Sequence, residues 1–323
     1  MKRVLITGVS GQDGSYLAEL LAGKGQEVVG TSRSPAPSGR SEETPIARRQ
    51  LTLSDPEAVR QLIAEVRPDR LFHLAGQSSV GQSFKEPALT VESIVTTTLN
   101  ILDAVRTVSP ETRVFIASSG EAFGDTGDQR ADEATCFRPL SPYAAAKAAA
   151  AELARAYRAS YSLFVSVGFL YNHESPRRPE RFVTRKVVRA ACEIALKQSE
   201  QVELGELGVI RDWGWAPEYV DAMARTLEAS EPDDFVIATG HSVSLERFVE
   251  LVFAELGLDW REHVKRREDL VRPAEARSLR ANPARAEAKL GWKAELGLAD
   301  VVHRLVEHER AILTQGNPHR SAQ

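Results

Sequence analysis

The 323-residue sequence predicts an α/β fold, a doubly wound parallel sheet with a smaller C-terminal domain. Three observations predict it. Through residue 170, short apolar runs alternate with amphipathic segments of helical period, the pattern of parallel strands joined by helical crossovers. The first apolar run stops at a Gly-rich turn that opens a helix. Beyond residue 170 the alternation loosens, and Arg177, Arg178, Arg181, Arg185 and Lys186 cluster. The reading is a Rossmann-type nucleotide domain over 1–170 and a mainly substrate-binding domain over 171–323, with part of 209–240 returning to the sheet.

The elements follow in order. Val4–Thr7 is apolar and ends at glycines, so it reads as a buried strand. Ser15–Lys24 has helical period, with Leu17, Leu20 and Leu21 on one face. Glu27–Ser32 reads as a strand, and 35–45, rich in Pro, Ser, Gly and charge, as a loop. Pro56–Val66 is a helix, Arg70–Leu74 a strand, Glu92–Val108 a long helix and Arg113–Ser118 a strand. The Ala-rich segment Ser141–Arg158 is helical, and Phe164–Leu170 is β-rich. Further on, Phe235–Ala238 reads as one more strand, with amphipathic helices at Leu245–Leu256 and Leu298–Ile312. Residues 316–323 are polar and expected to fray.

Composition narrows the function. A net charge of −4 argues against a general nucleic-acid binder, so an anionic ligand needs a local cationic pocket. Cys136 and Cys192 are far apart and lack CxxC spacing, which reads as two reduced thiols and excludes a structural zinc site; no metal is expected. The apolar run in MKRVLITGVSG is too short for a signal peptide, and no segment approaches the ~20 apolar residues of a membrane helix. The expectation is a cytoplasmic protein without a membrane partner.

Thr7-Gly8-Val9-Ser10-Gly11-Gln12-Asp13-Gly14 follows the first strand and opens the first helix. Its GxxGxxG spacing at Gly8, Gly11 and Gly14 lets the backbone turn tightly and approach a pyrophosphate, to which the helix N-terminus offers N–H donors and a positive dipole. The second strand ends Thr31-Ser32-Arg33, with no carboxylate to hold a ribose 2′-OH. Arg33 suits a 2′-phosphate, which favours NADP over NAD.

Tyr143 and Lys147 stand at i and i+4, on one face of a helix that Ser141 and Pro142 start as N-cap and N1. A lysine charge, the cofactor's cationic ring and the helix N-terminus all favour the phenolate, so Tyr143 reads as a base for a hydroxyl during hydride transfer. Ser118-Ser119-Gly120-Glu121 lies at the end of the preceding strand. Ser119 can hydrogen-bond the same substrate oxygen. Glu121 is the informative residue: a simple dehydrogenase needs no further carboxylate, whereas a dehydratase needs one to move a proton from a carbon acid.

Beyond these motifs, TGVSGQDGSYLAELL, HLAGQSSV, SPYAAAK, NHESPRR, FVTRKV, RDWGWAPEYVDAM, DDFVIATG, RPAE and LGWK give the chain a wider likeness. It resembles the extended short-chain dehydrogenase/reductases and, within them, the GDP-mannose 4,6-dehydratases. The resemblance implies that Tyr143 and Lys147 are the dehydrogenase pair, that Ser119 stands for a catalytic Thr, and that Glu121 is the catalytic Glu. It implies cofactor contacts at Gly8, Gly11, Gln12, Asp13, Gly14, Arg33, Leu74, Ala75 and Gln77, and at Tyr143 and Lys147 themselves. Ser78, Asn172 and Gly205 would meet the sugar nucleotide, with Lys186, Arg211, Arg272 and Glu275 on its GDP portion.

The implied partner is GDP-mannose or a close relative, and the implied assembly a homo-oligomer, dimer or tetramer. In the implied reaction C4 is oxidised, water leaves across C5 and C6, and the hydride returns to C6. Departures from the family's usual TSELYG include Ser119, Gly120 and Phe123. Segment 33–50 is shorter than the family's and has one Arg where the family has two, and Leu51-Thr52-Leu53-Ser54 follows where an Asp is expected near the adenine. A GDP-4-keto-6-deoxymannose reductase, a bifunctional enzyme and a non-catalytic NADP-binding protein stay open as alternatives.

Overall fold

The apolar runs that mark strands N-terminal to residue 171 share one sheet. The structure is a computed structural model that describes residues 2–33, 46–270 and 274–315. The first six strands are β1 (Arg3–Thr7), β2 (Glu27–Ser32), β3 (Ala47–Gln50), β4 (Arg70–His73), β5 (Arg113–Ser119) and β6 (Val165–Leu170). After β7 (Asn172–Glu174), β8 (Val202–Leu204) and β9 (Ile210–Trp215), the chain returns as β10 (Asp234–Ile237), which pairs parallel with β6. The resulting seven-stranded order is β10-β6-β5-β4-β1-β2-β3, parallel at each pairing. β7, β9 and β11 (Ser242–Ser244) form a small second sheet, and β8 pairs with β12 (Val264–Arg266).

Alternation along β1 builds both faces of the core. Val4 and Ile6 join the side chains of α1 (Gln12–Gly23), while Leu5 points to α2 (Pro56–Val66). After α3 (Val80–Lys85), α4 (Pro87–Val91) and α5 (Thr97–Val108), the 20-residue α6 (Pro142–Tyr161) covers the α2 face with Ala151 and Ala154. A third core lies C-terminal, where α7 (Val183–Ala195) packs with later helices through Val187, Val188, Ala191 and Cys192. α8 (Ala216–Thr226) returns to α1 through Tyr219, Val220 and Met223. The remaining helices are α9 (Leu245–Glu255), α10 (Trp260–His263), α11 (Ala284–Leu290) and α12 (Leu298–Gln315).

Several boundaries differ from the sequence expectation. The helix expected at Glu92–Val108 begins at Pro87 and is continuous over 22 residues. It contains a π-helical turn at Glu92–Thr96. By length and composition alone it is apolar enough to cross a membrane, contrary to the expectation that no segment approaches that measure. Its inner face, with Ile101, Leu102 and Val105, is buried against the sheet. β3 reads Ala-Arg-Arg-Gln and is exposed throughout; as the edge strand it needs no apolar pattern. α7 was hidden by its basic residues. Arg185 forms a buried pair with Glu309 of α12 at 2.8 Å, so it is a structural cation of the third core. The expected loop at 35–45 lies outside the described residues.

Candidate active site

Parallel strands end on one edge, and ligands of such sheets sit there. Two adjoining clefts occupy that edge. The first, of about 390 Å³, is lined by Gly8, Gly11, Gln12, Asp13 and Gly14 at its floor and by Arg33, Leu51, Leu53, Leu74 and Ala75 along its side. The second, of about 610 Å³, is lined by Gln77, Ser119, Glu121, Tyr143, Lys147, Asn172, Gly205, Arg211 and Glu275. Ser78 lines both.

The first cleft fits an extended phosphate-bearing ligand. Gly8 has φ +76°, and a Cβ there would sit 2.9 Å from the Ala75 backbone. A Cβ at Gly14 would run into the Gly8 carbonyl, so the turn and α1 close on each other only as glycines. No side chain caps α1 at Gly11, which leaves its first-turn amides to a ligand's acceptor oxygens. Leu51 and Leu53 offer an apolar wall beyond Arg33. Asp55, the first carboxylate after them, caps α2 through the amides of Glu57 and Ala58. The Gln12 and Asp13 side chains turn from the cleft floor toward His173 and Ser175. Gln77 lies in the second cleft, its amide held by Ser79 and Thr90.

In the second cleft, Ser141 Oγ caps α6 by accepting from the Ala144 amide at 3.1 Å, which sets Tyr143 and Lys147 on the inward face. Lys147 Nζ donates to the Ala117 carbonyl at 2.7 Å and lies 5.9 Å from the Tyr143 ring centroid. Burial pushes the Lys147 ammonium down to about 8. The expectation of a stabilised phenolate is corrected for the protein alone. Burial pushes the Tyr143 phenol up to about 12, and the hydrogen bond to Ser119 opposes that only in part. A cationic ligand beside the phenol would lower it again.

Glu121 follows Ser119, whose Oγ accepts from the Glu121 amide at 3.3 Å. Its Oε1 lies 4.0 Å from Arg211 Nε. Arg211 is buried. Its Nη1 donates to the Ile210 and Ala276 carbonyls, each at 2.9 Å, and its Nη2 to Glu275 at 3.3 Å. A guanidinium fixed on two carbonyls presents its remaining edge in one orientation.

One expected contact changes. Lys186 does not line the cavity: α7 turns it outward, and its exposed Nζ donates to the Glu203 carbonyl at 2.6 Å. Arg272 lies outside the described residues. Cations that the motif reading left without a role take the cavity wall. Arg178 lines both clefts, held by buried Glu174 at 3.4 Å and lying over the Phe182 ring at 3.9 Å. Arg181 lines both as well, and Lys85 lines the second. The paired arginines of NHESPRR were the available signal, but which one faces the cleft depends on the turn after β7.

The profile described as GDP-mannose 4,6 dehydratase matches residues 5–305. The chain belongs to the GDP-mannose 4,6-dehydratase family. It is 39% identical to GDP-mannose 4,6 dehydratase 2 of Arabidopsis thaliana, over 95% of this chain and 87% of that one. It is 38% identical to the Homo sapiens GDP-mannose 4,6 dehydratase, over 97% and 92%. Among solved structures, a Thermus thermophilus UDP-glucose 4-epimerase in complex with NAD superposes with TM-score 0.84 at 29% identity, covering 95% of this chain and 99% of that one. RMD from Pseudomonas aeruginosa, complexed with NADPH, shares the fold with TM-score 0.81 at 24% identity, covering 97% and 100%.

Two departures from the family's motif have a packing reason. A Cβ at Gly120 would lie 2.7 Å from the Tyr171 ring, so this chain has no room for a Ser there. Phe123 sits in an aromatic cluster, 4.9 Å from Phe169 and 5.6 Å from Phe137.

Proposed function

We propose that this member of the GDP-mannose 4,6-dehydratase family converts GDP-mannose to GDP-4-keto-6-deoxymannose. The observation that carries the reading is the convergence of Ser119, Glu121, Tyr143 and Lys147 on one cavity with Arg211 beside Glu121. Tyr143 takes the C4 hydroxyl proton while Ser119 holds the same oxygen. Lys147, charged below about pH 8, supports the phenolate. A nicotinamide cofactor held by Gly8, Gly11, Gly14 and Arg33 in the first cleft would supply the hydride chemistry between C4 and C6. The C4 ketone acidifies C5–H; Glu121 removes that proton and delivers one to the departing C6 hydroxyl. Arg211, Arg178, Arg181 and Lys85 supply the local cationic wall for a diphosphate that a chain of net charge −4 lacks overall.

The same reading places the cofactor on residues 1–170 and the sugar nucleotide mainly on 171–323. It also has the enzyme work as a cytoplasmic homo-oligomer; exposed Leu89, Val91 and Leu99 on the helix Pro87–Val108 support self-association. Purified enzyme given GDP-mannose yields the 4-keto-6-deoxy sugar without consuming added NADPH. Consumption of NADPH only with the 4-keto sugar supplied identifies a reductase instead, and nucleotide binding without either turnover identifies a scaffold.

NADP is the proposed cofactor. β2 ends Thr31-Ser32-Arg33, and exposed Arg33 borders the cleft without a neighbouring carboxylate on that strand end. Arg33→Ala is expected to weaken NADP binding by roughly 10- to 100-fold, the worth of a charge-assisted hydrogen bond, and to leave NAD binding unchanged. Equal loss for both, measured by titration calorimetry, contradicts the assignment.

A further inference from the structure

α7 carries Arg185 on its inner face, in the apolar third core. Arg185 Nη2 lies 2.8 Å from Glu309 Oε2 of α12, and that carboxylate is 1% exposed. Neither residue lines either cleft. The core that joins the two helices is otherwise apolar, with Val187, Val188 and Cys192 from α7 and Leu305 and Val306 from α12. Among the described residues, Arg185 Nε and Nη1 have no hydrogen-bond partner. A buried pair with unsatisfied donors returns little of what its burial costs, and apolar residues of like size commonly replace one without loss of stability. Stability alone does not account for a charged pair at this place.

What the pair sets is direction. Apolar contacts between two helices tolerate a small rotation of one on the other, whereas a planar guanidinium facing one carboxylate does not. The first turn of α7 in turn reaches the second cleft. Thr184, the residue before Arg185, donates from Oγ1 to Glu174 Oε2 at 2.6 Å, and both residues are buried. The same Glu174 oxygen lies 3.4 Å from Arg178 Nε. Phe182, at the N-cap of α7, lies under the Arg178 guanidinium at 3.9 Å. Both supports of Arg178 are thus tied to the turn that Arg185 fixes.

We propose that Arg185 and Glu309 are a positioning pair: they set the rotational phase of α7 against α12 and, through Thr184, Glu174 and Phe182, aim the Arg178 guanidinium into the cleft. The proposal rests on the reading of Arg178 as part of the cationic wall for a diphosphate. Arg189, one turn further along α7, meets the other Glu309 oxygen at 3.8 Å, but it is 40% exposed and also pairs with Glu180 and Glu193. Arg189 therefore keeps partners when Glu309 is replaced, and the pair can be removed without leaving a buried charge alone.

The test replaces both members by apolar residues of similar size, Arg185→Met with Glu309→Leu, and reads binding separately from stability. The double variant is expected to keep a thermal midpoint at or above that of the wild type. Its Kd for GDP, by titration calorimetry, and its KM for GDP-mannose are each expected to rise roughly 10-fold, the low end of what a charge-assisted hydrogen bond contributes. Its kcat is expected to stay within about 2-fold, because the groups that act on the hexose are untouched. A cycle with Arg178→Ala then isolates the route. Where the pair acts through Arg178, removing it costs no further GDP affinity once Arg178 is gone.

Losses that add in the cycle overturn the proposal, as does wild-type GDP affinity in the folded double variant. A lowered thermal midpoint with unchanged Kd makes the pair structural only and overturns it as well. If the double variant does not fold, Arg185→Lys carries the test, since it keeps the charge and loses the planar fork. It is expected to raise the Kd by a smaller factor that again vanishes in Arg178→Ala, and wild-type affinity in it overturns the proposal. Unchanged GDP affinity in Arg178→Ala itself refutes both the diphosphate reading of that residue and the relay to it. A wild type that binds GDP without turning over GDP-mannose refutes the dehydratase reading alone and leaves the cycle to decide the relay.

Discussion

Glu121→Gln is expected to oxidise the hexose at C4 and stop. The side chain keeps its size and its place beside Arg211, where the carboxylate is 16% exposed, so the cavity keeps its shape. What is lost is an acceptor for the C5 proton and a donor to the C6 hydroxyl, a pair of proton transfers worth on the order of 10²–10⁴ in rate. Rapid quench of enzyme in excess over GDP-mannose is expected to show a 4-keto hexose that retains its C6 hydroxyl, with dehydrated product slowed by that factor. Wild-type rates in this variant remove Glu121 from the reaction.

Tyr143→Phe is expected to block one step earlier. Tyr143 is 8% exposed and packs against Ile94, Ala146 and Ala150, contacts that Phe keeps. Near-wild-type thermal stability should therefore accompany a kcat loss of roughly 10²–10⁴. No 4-keto hexose accumulates, because the proton on the C4 oxygen has nowhere to go. Accumulation of the same ketone as in Glu121→Gln would reassign the base. The contrast between the two variants separates oxidation from elimination, which neither does alone.

These residues were legible in the sequence because local chemistry places them. Ser141 and Pro142 fix the start of α6, and the four-residue spacing then puts Tyr143 and Lys147 on one face. Strands buried on both faces, such as β5 and β6, announce themselves as apolar runs. β3 did not, since an exposed edge strand is under no such demand. Lys186 was misplaced for a related reason: motif position does not reveal helix phase, and α7 buries Val187 and Val188 while turning Lys186 away.

The least legible part is the seam between α1 and β7. The resemblance names Gln12 and Asp13 as cofactor contacts, and both line the cofactor cleft. Their side chains also meet His173 and Ser175, some 160 residues later, through a crossover that no local pattern specifies. The phenol's titration was likewise invisible: spacing shows that Lys147 is near Tyr143, but only the packed site shows that burial raises the phenol.

The central claim is that the hydride leaving C4 returns to C6 of the same sugar. GDP-mannose carrying deuterium at C4 tests it most directly, with the position of the label in the product read by NMR. The prediction is deuterium in the C6 methyl group with little dilution, because Tyr143 and Glu121 line one cavity, where a single bound hexose would meet both. Deuterium lost to solvent, or a 4-keto product with no label at C6, contradicts it.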